Sequence, residues 1–395
     1  MSNYVYLDWA ATTPLCPEAA QAMAPFFQPG PQNIQVNANA NSLHTPGRKA
    51  FNAMEEARMG LARAIGAKRP DEIIFTSGAT EADNLAIYGL VKAAVEAQRQ
   101  KGNGDFIPHI ITTDIEHDAI LNPCHQLSAD GCQLTYLRPD SNGFISVDSL
   151  EAAMQPNTVL VSVMFVNNEV GTVQDIAALC AAAHKHKVLF HTDAVQALGK
   201  CPVNVAALGV DAASFSAHKV QGPKGVGALY LKAHTKIKPQ QVGGGQEQGL
   251  RSGTQNVGGM CGFAAAAKAA VANLALDQTR LGALRDHLYQ ALCEIPGVKP
   301  SVEVEKGSLR FAPHVVNITV EGMESETLIL QLDLQGFAVS GGSACASHSL
   351  AASHVLSALG MPSDRALCSL RISVGHETTE EDIFQFIDAF KLVVG

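Results

Sequence analysis

A chain of 395 residues, 47% hydrophobic and only 16% charged, carries enough apolar content for a substantial core and about two domains, and is neither disordered nor fibrous in composition. Its net charge of −9, with no Lys/Arg block, argues against a nucleic-acid backbone as partner. Nine cysteines without a single Cys-x-x-Cys pair point to a reducing compartment, and no metal-ligand spacing is present.

The amino terminus lacks the basic and apolar regions of a secretion signal. The apolar stretch 257–276 is interrupted by Lys268 and Asn273, so it reads as a buried helix rather than a membrane span, and a cytoplasmic location is expected. A short strand at 4–7 leads into an irregular segment closed by Pro14. A helix over 17–27, an asparagine-rich polar loop over 28–46 and a helix over 47–65 follow. Strands are then predicted at 72–75, 110–112, 133–137, 159–163, 188–191, 212–215 and 226–231, the first five each followed by a helical pattern. Seven strands so spaced predict an α/β fold with one mostly parallel sheet and helices on both faces. The last two are joined too tightly for a helical crossover, so one of them must run antiparallel.

After residue 262 the pattern changes. An Ala/Leu-rich helix over 262–294 precedes a strand at 315–320, helices near 325–334 and 352–359, and a strand at 369–374. Thr378 with Glu381 reads as the capping box of a last helix. The expected division is an N-terminal segment, 1–16, that joins the small domain, a large domain over 17–262, and a small α+β domain over 263–395 with a Gly/Ser-rich loop at about 338–352.

Chemistry concentrates at strand ends. Ser216, His218 and Lys219 offer a hydroxyl, an imidazole and an amine within four residues. A lysine withdrawn from water loses proton affinity and forms Schiff bases. Asp193 and Gln196 follow the strand 188–191, and in a parallel sheet they meet Lys219 at the carboxyl-end edge, where open α/β sheets bind ligands. That set matches pyridoxal phosphate: a carboxylate for the pyridinium nitrogen, an amide for the phenolic oxygen, a lysine for the aldehyde. The turn from Ser77 to Thr80, with Ala79 between them, is either a phosphate cradle at a helix start or an ordinary cap. His117 reads as a cap or as an imidazole stacked on a cofactor ring, and Asn168 as a ligand to ring or substrate or as the cap of a helix over 173–185.

Together these motifs resemble the cysteine desulfurases of the class V aminotransferase group. The resemblance rests on Tyr-Leu-Asp-Trp-Ala-Ala-Thr-Thr-Pro (6–14), Phe-Thr-Ser-Gly-Ala-Thr-Glu-Ala-Asp-Asn (75–84), Glu-His (116–117), Val-Asn-Asn-Glu-Val-Gly (166–171) and His-Thr-Asp-Ala-Val-Gln (191–196). It continues through Ser-Phe-Ser-Ala-His-Lys (214–219), Arg-Ser-Gly-Thr (251–254), Ser-Gly-Gly-Ser-Ala-Cys (340–345) and Leu-Arg-Ile-Ser (370–373). It implies a fold-type I homodimer in which Lys219 holds the cofactor and His117 stacks on its ring. Ala79, Thr80, Ser216, His218 and, across the dimer, Thr254 hold the phosphate; Asn168, Asp193 and Gln196 touch the cofactor. Ala11, Thr12, Asn39, Asn168 and Arg371 bind the substrate, L-cysteine, which becomes L-alanine while Cys345 accepts the sulfur as a persulfide. The sulfur then passes to an acceptor protein, an iron–sulfur scaffold or a thiolation enzyme.

Two of these roles also follow from the side chains themselves. Arg371 presents a planar fork suited to a carboxylate. Cys345 follows Gly341 and Gly342, residues that permit a mobile loop. The chain departs from the family at Ala38–Ser42, around Asn39, at Ala351, Ala352 and His354, and in having no docking tail after Gly395; these changes bear on the sulfur acceptor more than on the chemistry. Rival readings are a selenocysteine lyase or another β-eliminating pyridoxal enzyme, neither of which needs Cys345, and a non-catalytic sulfur-relay subunit, against which intact Lys219, Asp193 and Cys345 argue.

Overall fold

The computed structural model describes residues 4–342 and 352–395. Its strands are β1 (Val5–Tyr6), β2 (Ile73–Thr76), β3 (His109–Thr113), β4 (Gln133–Leu137), β5 (Thr158–Ser162), β6 (Leu189–Asp193), β7 (Ala212–Ser216), β8 (Gly227–Leu231), β9 (Val298–Pro300), β10 (Val315–Val320), β11 (Phe337–Ala338) and β12 (Ser369–Ser373). Its helices are α1 (Pro17–Met23), α2 (Thr45–Ala64), α3 (Ala79–Gln100), α4 (Asp118–Ala129), α5 (Val147–Ala153), α6 (Ile176–Lys185), α7 (Val205–Leu208), α8 (Val257–Cys293), α9 (Ser325–Leu334), α10 (His354–Ala358), α11 (Ser363–Ala366) and α12 (Glu380–Val394).

Strands β2 to β8 form one sheet of seven in the order β2-β8-β7-β6-β5-β3-β4. Strands β3 to β7 pair in parallel, and β8 lies antiparallel between β7 and β2. Six strands therefore share one direction and β8 runs against them, which is how the tight 216–227 connection is accommodated. Alternate residues face two separate cores, as the period of a strand requires. Ile73, Phe75, Val161, Phe190 and Phe215 pack with α2, α6 and the first half of α8. Ile74, Ile110, Leu160 and Leu229 pack with α3 and α4 on the other face.

A second sheet, β12-β10-β9, is antiparallel and shares a third core with Leu281–Leu292 of α8, Leu328 and Leu332 of α9, and Phe386 and Phe390 of α12. Here β1 pairs in parallel with β11, Val5 opposite Phe337. The 37-residue α8 is long and apolar enough to cross a membrane by composition alone, yet Phe263–Ala267 lie in the first core and Leu281–Leu292 in the third. It runs unbroken through residues 262 and 263, where the sequence pattern changes.

Several local expectations shift. The capping box of the last helix is Thr379 with Asp382, not Thr378 with Glu381: Thr379 Oγ1 accepts the Asp382 amide at 3.1 Å while Asp382 Oδ2 accepts the Thr379 amide at 2.8 Å. Thr378 is turned inward instead, accepting the Gly375 amide. The helix expected at 173–185 starts at Ile176 and is capped by Asp175, so Asn168 is not its cap. One buried ion pair fixes the long connection before α8. Arg58 Nη1 and Nη2 donate to Glu247 Oε2 and Oε1 at 2.6 and 2.7 Å, and Glu247 Oε2 also accepts the Phe75 amide of β2 at 2.8 Å. A two-pronged pair at this depth holds only if both partners remain.

Candidate active site

Because six strands point one way, their carboxyl ends deliver side chains to one edge of the sheet. A cavity of about 430 Å³ opens there. Into it converge Ala79 and Thr80 after β2, His117 after β3, Asn168 after β5, Asp193 and Gln196 from β6 onward, and Ser216, His218 and Lys219 from β7 onward. Ala11 and Thr12 reach it from the N-terminal segment and Arg371 from β12. Lys219 lies in a 3₁₀ turn, Ala217–Lys219, rather than in the strand, and its Nζ donates to the carbonyls of Ala10 and Ala11 at 2.6 and 2.8 Å.

The surroundings fix each group. Among the described residues no side chain caps the amides at the start of the 22-residue α3, so its positive end is left for an anion. The Ser77–Thr80 turn sits against β8 only because residue 227 is glycine: a Cβ there would come within 2.5 Å of the Gly78 backbone. His117 is both cap and wall. Its Nδ1 accepts the Ala119 amide at 3.0 Å, which leaves Nε2 to carry the proton of the neutral ring. Gln196 is engaged differently from expectation, its Nε2 donating to the Ala10 carbonyl at 2.8 Å. The position of that carbonyl, beside Lys219, is a contact the sequence does not signal. Arg371, 1% exposed, gives Nη2 to Asp8 Oδ1 at 2.8 Å and Nη1 to the Asn168 carbonyl at 3.0 Å, while its Nε has no hydrogen-bond partner.

Three buried carboxyls gather here: Asp193, Glu116 and Asp83, of which Asp193 and Asp83 line the cavity. Burial pushes all three up. Asp193 alone among them is drawn back by His117 and Lys219, after the Val195 amide that its Oδ1 accepts at 2.9 Å. Asp83 is held well above the carboxylate range by burial and then by the charge of Asp193. Glu116 is pushed up to about 8 by burial, although its Oε1 accepts from Thr113 Oγ1 and the Met164 amide. His218 is driven down to about 4 by burial and then by Lys219, Lys224 and Lys200, so it is a neutral ring, 3.1 Å from Thr12 Oγ1.

Three predicted residues are not gathered here. Asn39 is exposed in a polar turn, accepting the Asn41 amide at 2.9 Å, and Asn41 Nδ2 donates to Gln255 Oε1 at 3.0 Å. Thr254 is exposed next to Gln255, outside the cavity of its own chain. Cys345 lies outside the described residues. Asp83 and Lys224 line the cavity without having been singled out as site residues; the 75–84 motif contains Asp83, but its facing inward is set by the helix register of α3. Among the described residues no His, Cys, Asp and Glu cluster is set to hold a metal ion.

The donor set fits pyridoxal phosphate. Uncapped helix amides with Ser216 and a neutral His218 suit a dianion, the buried Asp193 carboxyl suits a pyridinium, and Lys219 shares their cavity. The comparisons agree. The aminotransferase class-V family model matches residues 5–386. The chain is 43% identical over 394 residues to a protein of Dictyoglomus turgidum named cysteine desulfurase IscS, covering 100% of this chain and 95% of that one. A solved NifS-like protein superposes with a TM-score of 0.87 at 35% identity over 99% of both chains. The structure of SspA in complex with cysteine superposes at 0.77 with 33% identity, over 94% of this chain and 98% of that one.

The carboxyl cluster makes a pH-dependent prediction. Glu116 has its folded pKa raised above the ordinary value, so the stability it allows is present at low pH and is lost as pH rises through about 8. Glu116→Gln keeps the two accepted hydrogen bonds and cannot ionise. Its melting temperature should exceed that of wild type by a margin that grows from about pH 5 to about pH 8 and then levels. A pH-independent margin, read by calorimetry, would show that Glu116 is already ionised.

Proposed function

The chain belongs to the aminotransferase class-V family and is a cysteine desulfurase dependent on pyridoxal phosphate, and on that premise we propose that sulfur leaves L-cysteine as a persulfide on Cys345 and passes from there to an acceptor protein. The observation that carries the reading is the convergence of Lys219, Asp193, His117 and Arg371 in one cavity at the carboxyl edge of the sheet. When bound, the cofactor supplies an electron sink for the bonds at Cα.

The residues do the rest. Asp193 would pair with the pyridinium nitrogen of the bound cofactor. Arg371 offers an unpartnered Nε to the α-carboxylate, with Asp8 and the Asn168 carbonyl holding the other two nitrogens in place. Lys219, once released from the cofactor, takes the α-proton and delivers it onward, and His117 Nε2 exchanges a proton with the reacting groups. The segment leading to Cys345 is anchored beside Arg371: the Ser340 amide donates to the Arg371 carbonyl at 3.1 Å, and the Arg371 amide to the Ser340 carbonyl at 2.6 Å. Five residues of chain reach at most ~18 Å from that anchor, which suits delivery of a thiolate to the substrate sulfur. The acceptor we favour is an iron–sulfur scaffold or a thiolation enzyme. Among the described residues eight cysteines are free, which supports a cytoplasmic setting.

The site is also proposed to be shared between two copies. Thr254 and Asn39 are exposed, and so are the apolar Phe27 (64%), Ile34 (52%), Leu43 (90%) and Val242 (76%) on the segments that carry them. Apolar side chains this open on neighbouring segments favour cover by a partner chain.

Cys345→Ser separates persulfide transfer from β-elimination. It should still bind cysteine, seen as a shift in the visible spectrum, while alanine formation falls by ~100-fold or more, the scale of losing a positioned nucleophile. Alanine formed near the wild-type rate would contradict the persulfide route. Thr254→Ala should leave a dimer that releases its cofactor about tenfold more readily, the scale of one charge-assisted hydrogen bond. A fully active monomer in sedimentation would contradict a shared site.

A further inference from the structure

Lys219 forms part of two cavities. Behind the active site lies a second cleft of about 260 Å³, to which Lys219 also contributes, along with Lys200, Gln221, Asp277 and His376. Lys200 follows a tight turn at Gly199 (φ 73°), where a Cβ would lie 2.7 Å from that of Ala270 on α8. Glycine is therefore required twice over, for the left-handed backbone and for the close approach. The Lys200 carbonyl accepts from Gln278 Nε2 of α8 at 3.1 Å, and its ammonium donates to the carbonyl of Lys219. Lys200 is thus held by the helix on one side and braces the turn of the cofactor lysine on the other.

The charges around this pair set its behaviour. Lys200 is half-buried as a residue, but desolvation of its ammonium is the largest influence and, with the charge of Lys219 next, brings it down to about 7; Cys201 and Asp277 oppose weakly. Repulsion between two cations is mutual, so a charge on Lys200 lowers the proton affinity of Lys219. Acting the other way on Lys219 are the Ala10 and Ala11 carbonyls, which accept from its Nζ, and Asp193. The rings of His218 and His314 are both driven down, in part by Lys200 and Lys219. His117 faces the pair from the front cavity with Lys224 and Arg371, and the rear cleft adds Glu18 of α1, Asp277 of α8, and His376 and Glu377 after β12. The Lys200 ammonium touches the Lys219 backbone.

Resting on Lys219 as the cofactor lysine, we propose that Lys200 is a positioning residue for it, clamping the 217–219 turn and using its own charge to keep the released Lys219 amine unprotonated at neutral pH. An amine beside a second cation is a better nucleophile and proton acceptor at neutral pH. The proton that Lys219 takes from Cα creates a second positive charge beside Lys200, and the repulsion favours its onward delivery, with no change of oxidation state.

The test is a pH titration of the visible absorbance of the holoenzyme, which reads the proton on the Lys219–cofactor linkage without turnover. Lys200→Met and Lys200→Gln should each raise the midpoint by on the order of one pH unit, a tenfold change in proton affinity, and move the acidic limb of kcat upward with it. Lys200→Arg, which keeps the charge, should stay near wild type. Gln retains a donor for the Lys219 carbonyl, so it isolates the charge if the Met variant loses the fold. An unmoved midpoint in Lys200→Gln, or the same shift in Lys200→Arg, would overturn the proposal. A wild-type holoenzyme without a visible lysine-linked band would instead strike at the assignment of Lys219.

Discussion

The direction of β8 is the constraint on which the site depends. Strand β8 returns between β7 and β2, so those two strands remain parallel to β3–β6 and six carboxyl ends face the same edge. Its first residue, Gly227, pairs with Thr76 on one side and Ser216 on the other. The turn that opens α3 and the turn that carries Lys219 are therefore neighbours across a single residue without a side chain. Phosphate-type donors and an amine come together from segments far apart in sequence for that reason.

The N-terminal segment links β11 and β12 to this edge. It pairs with β11 at Val5 and Tyr6, and the Trp9 amide donates to the Ser373 carbonyl. Thr13 then binds the His218 carbonyl through both its amide and its hydroxyl, and its Oγ1 accepts the Gln221 amide. The carbonyls of Ala10 and Ala11 hang between these anchors and receive Lys219. The turn that positions the amine is thus clamped in front by the irregular segment 10–13 and braced behind by Lys200. Burying this many polar groups is tolerable because most are hydrogen-bonded; the unpartnered oxygens of Asp83 and Glu116 are where burial disfavours a charge.

Much of this was legible in the sequence, for identifiable reasons. The strands of the large sheet are apolar runs between breakers, and every one is found within two residues of its expected bounds. Lys219, Asp193 and His117 were readable because each follows such a run and a parallel sheet leaves one place for them to meet. The two-residue β11 and three-residue β9 carry too little periodicity to register. The Thr378/Thr379 choice turns on which hydroxyl faces the helix start, which spacing alone does not decide when both have an acid three residues on. Lys200 and the Ala10 carbonyl were silent because their roles arise from backbone contacts across about 20 and about 200 residues. Thr254 ends a family motif and Asn39 lies where the chain departs from the family, and a single chain leaves both on its surface.

The central claim is that the 217–219 turn presents the amine that binds the cofactor, and covalent capture tests it most directly. Borohydride reduction of the purified holoenzyme followed by peptide mass mapping should place the pyridoxyl label on Lys219 alone. A label on Lys224, which lines the same cavity, or on Lys200 behind it, would contradict the account.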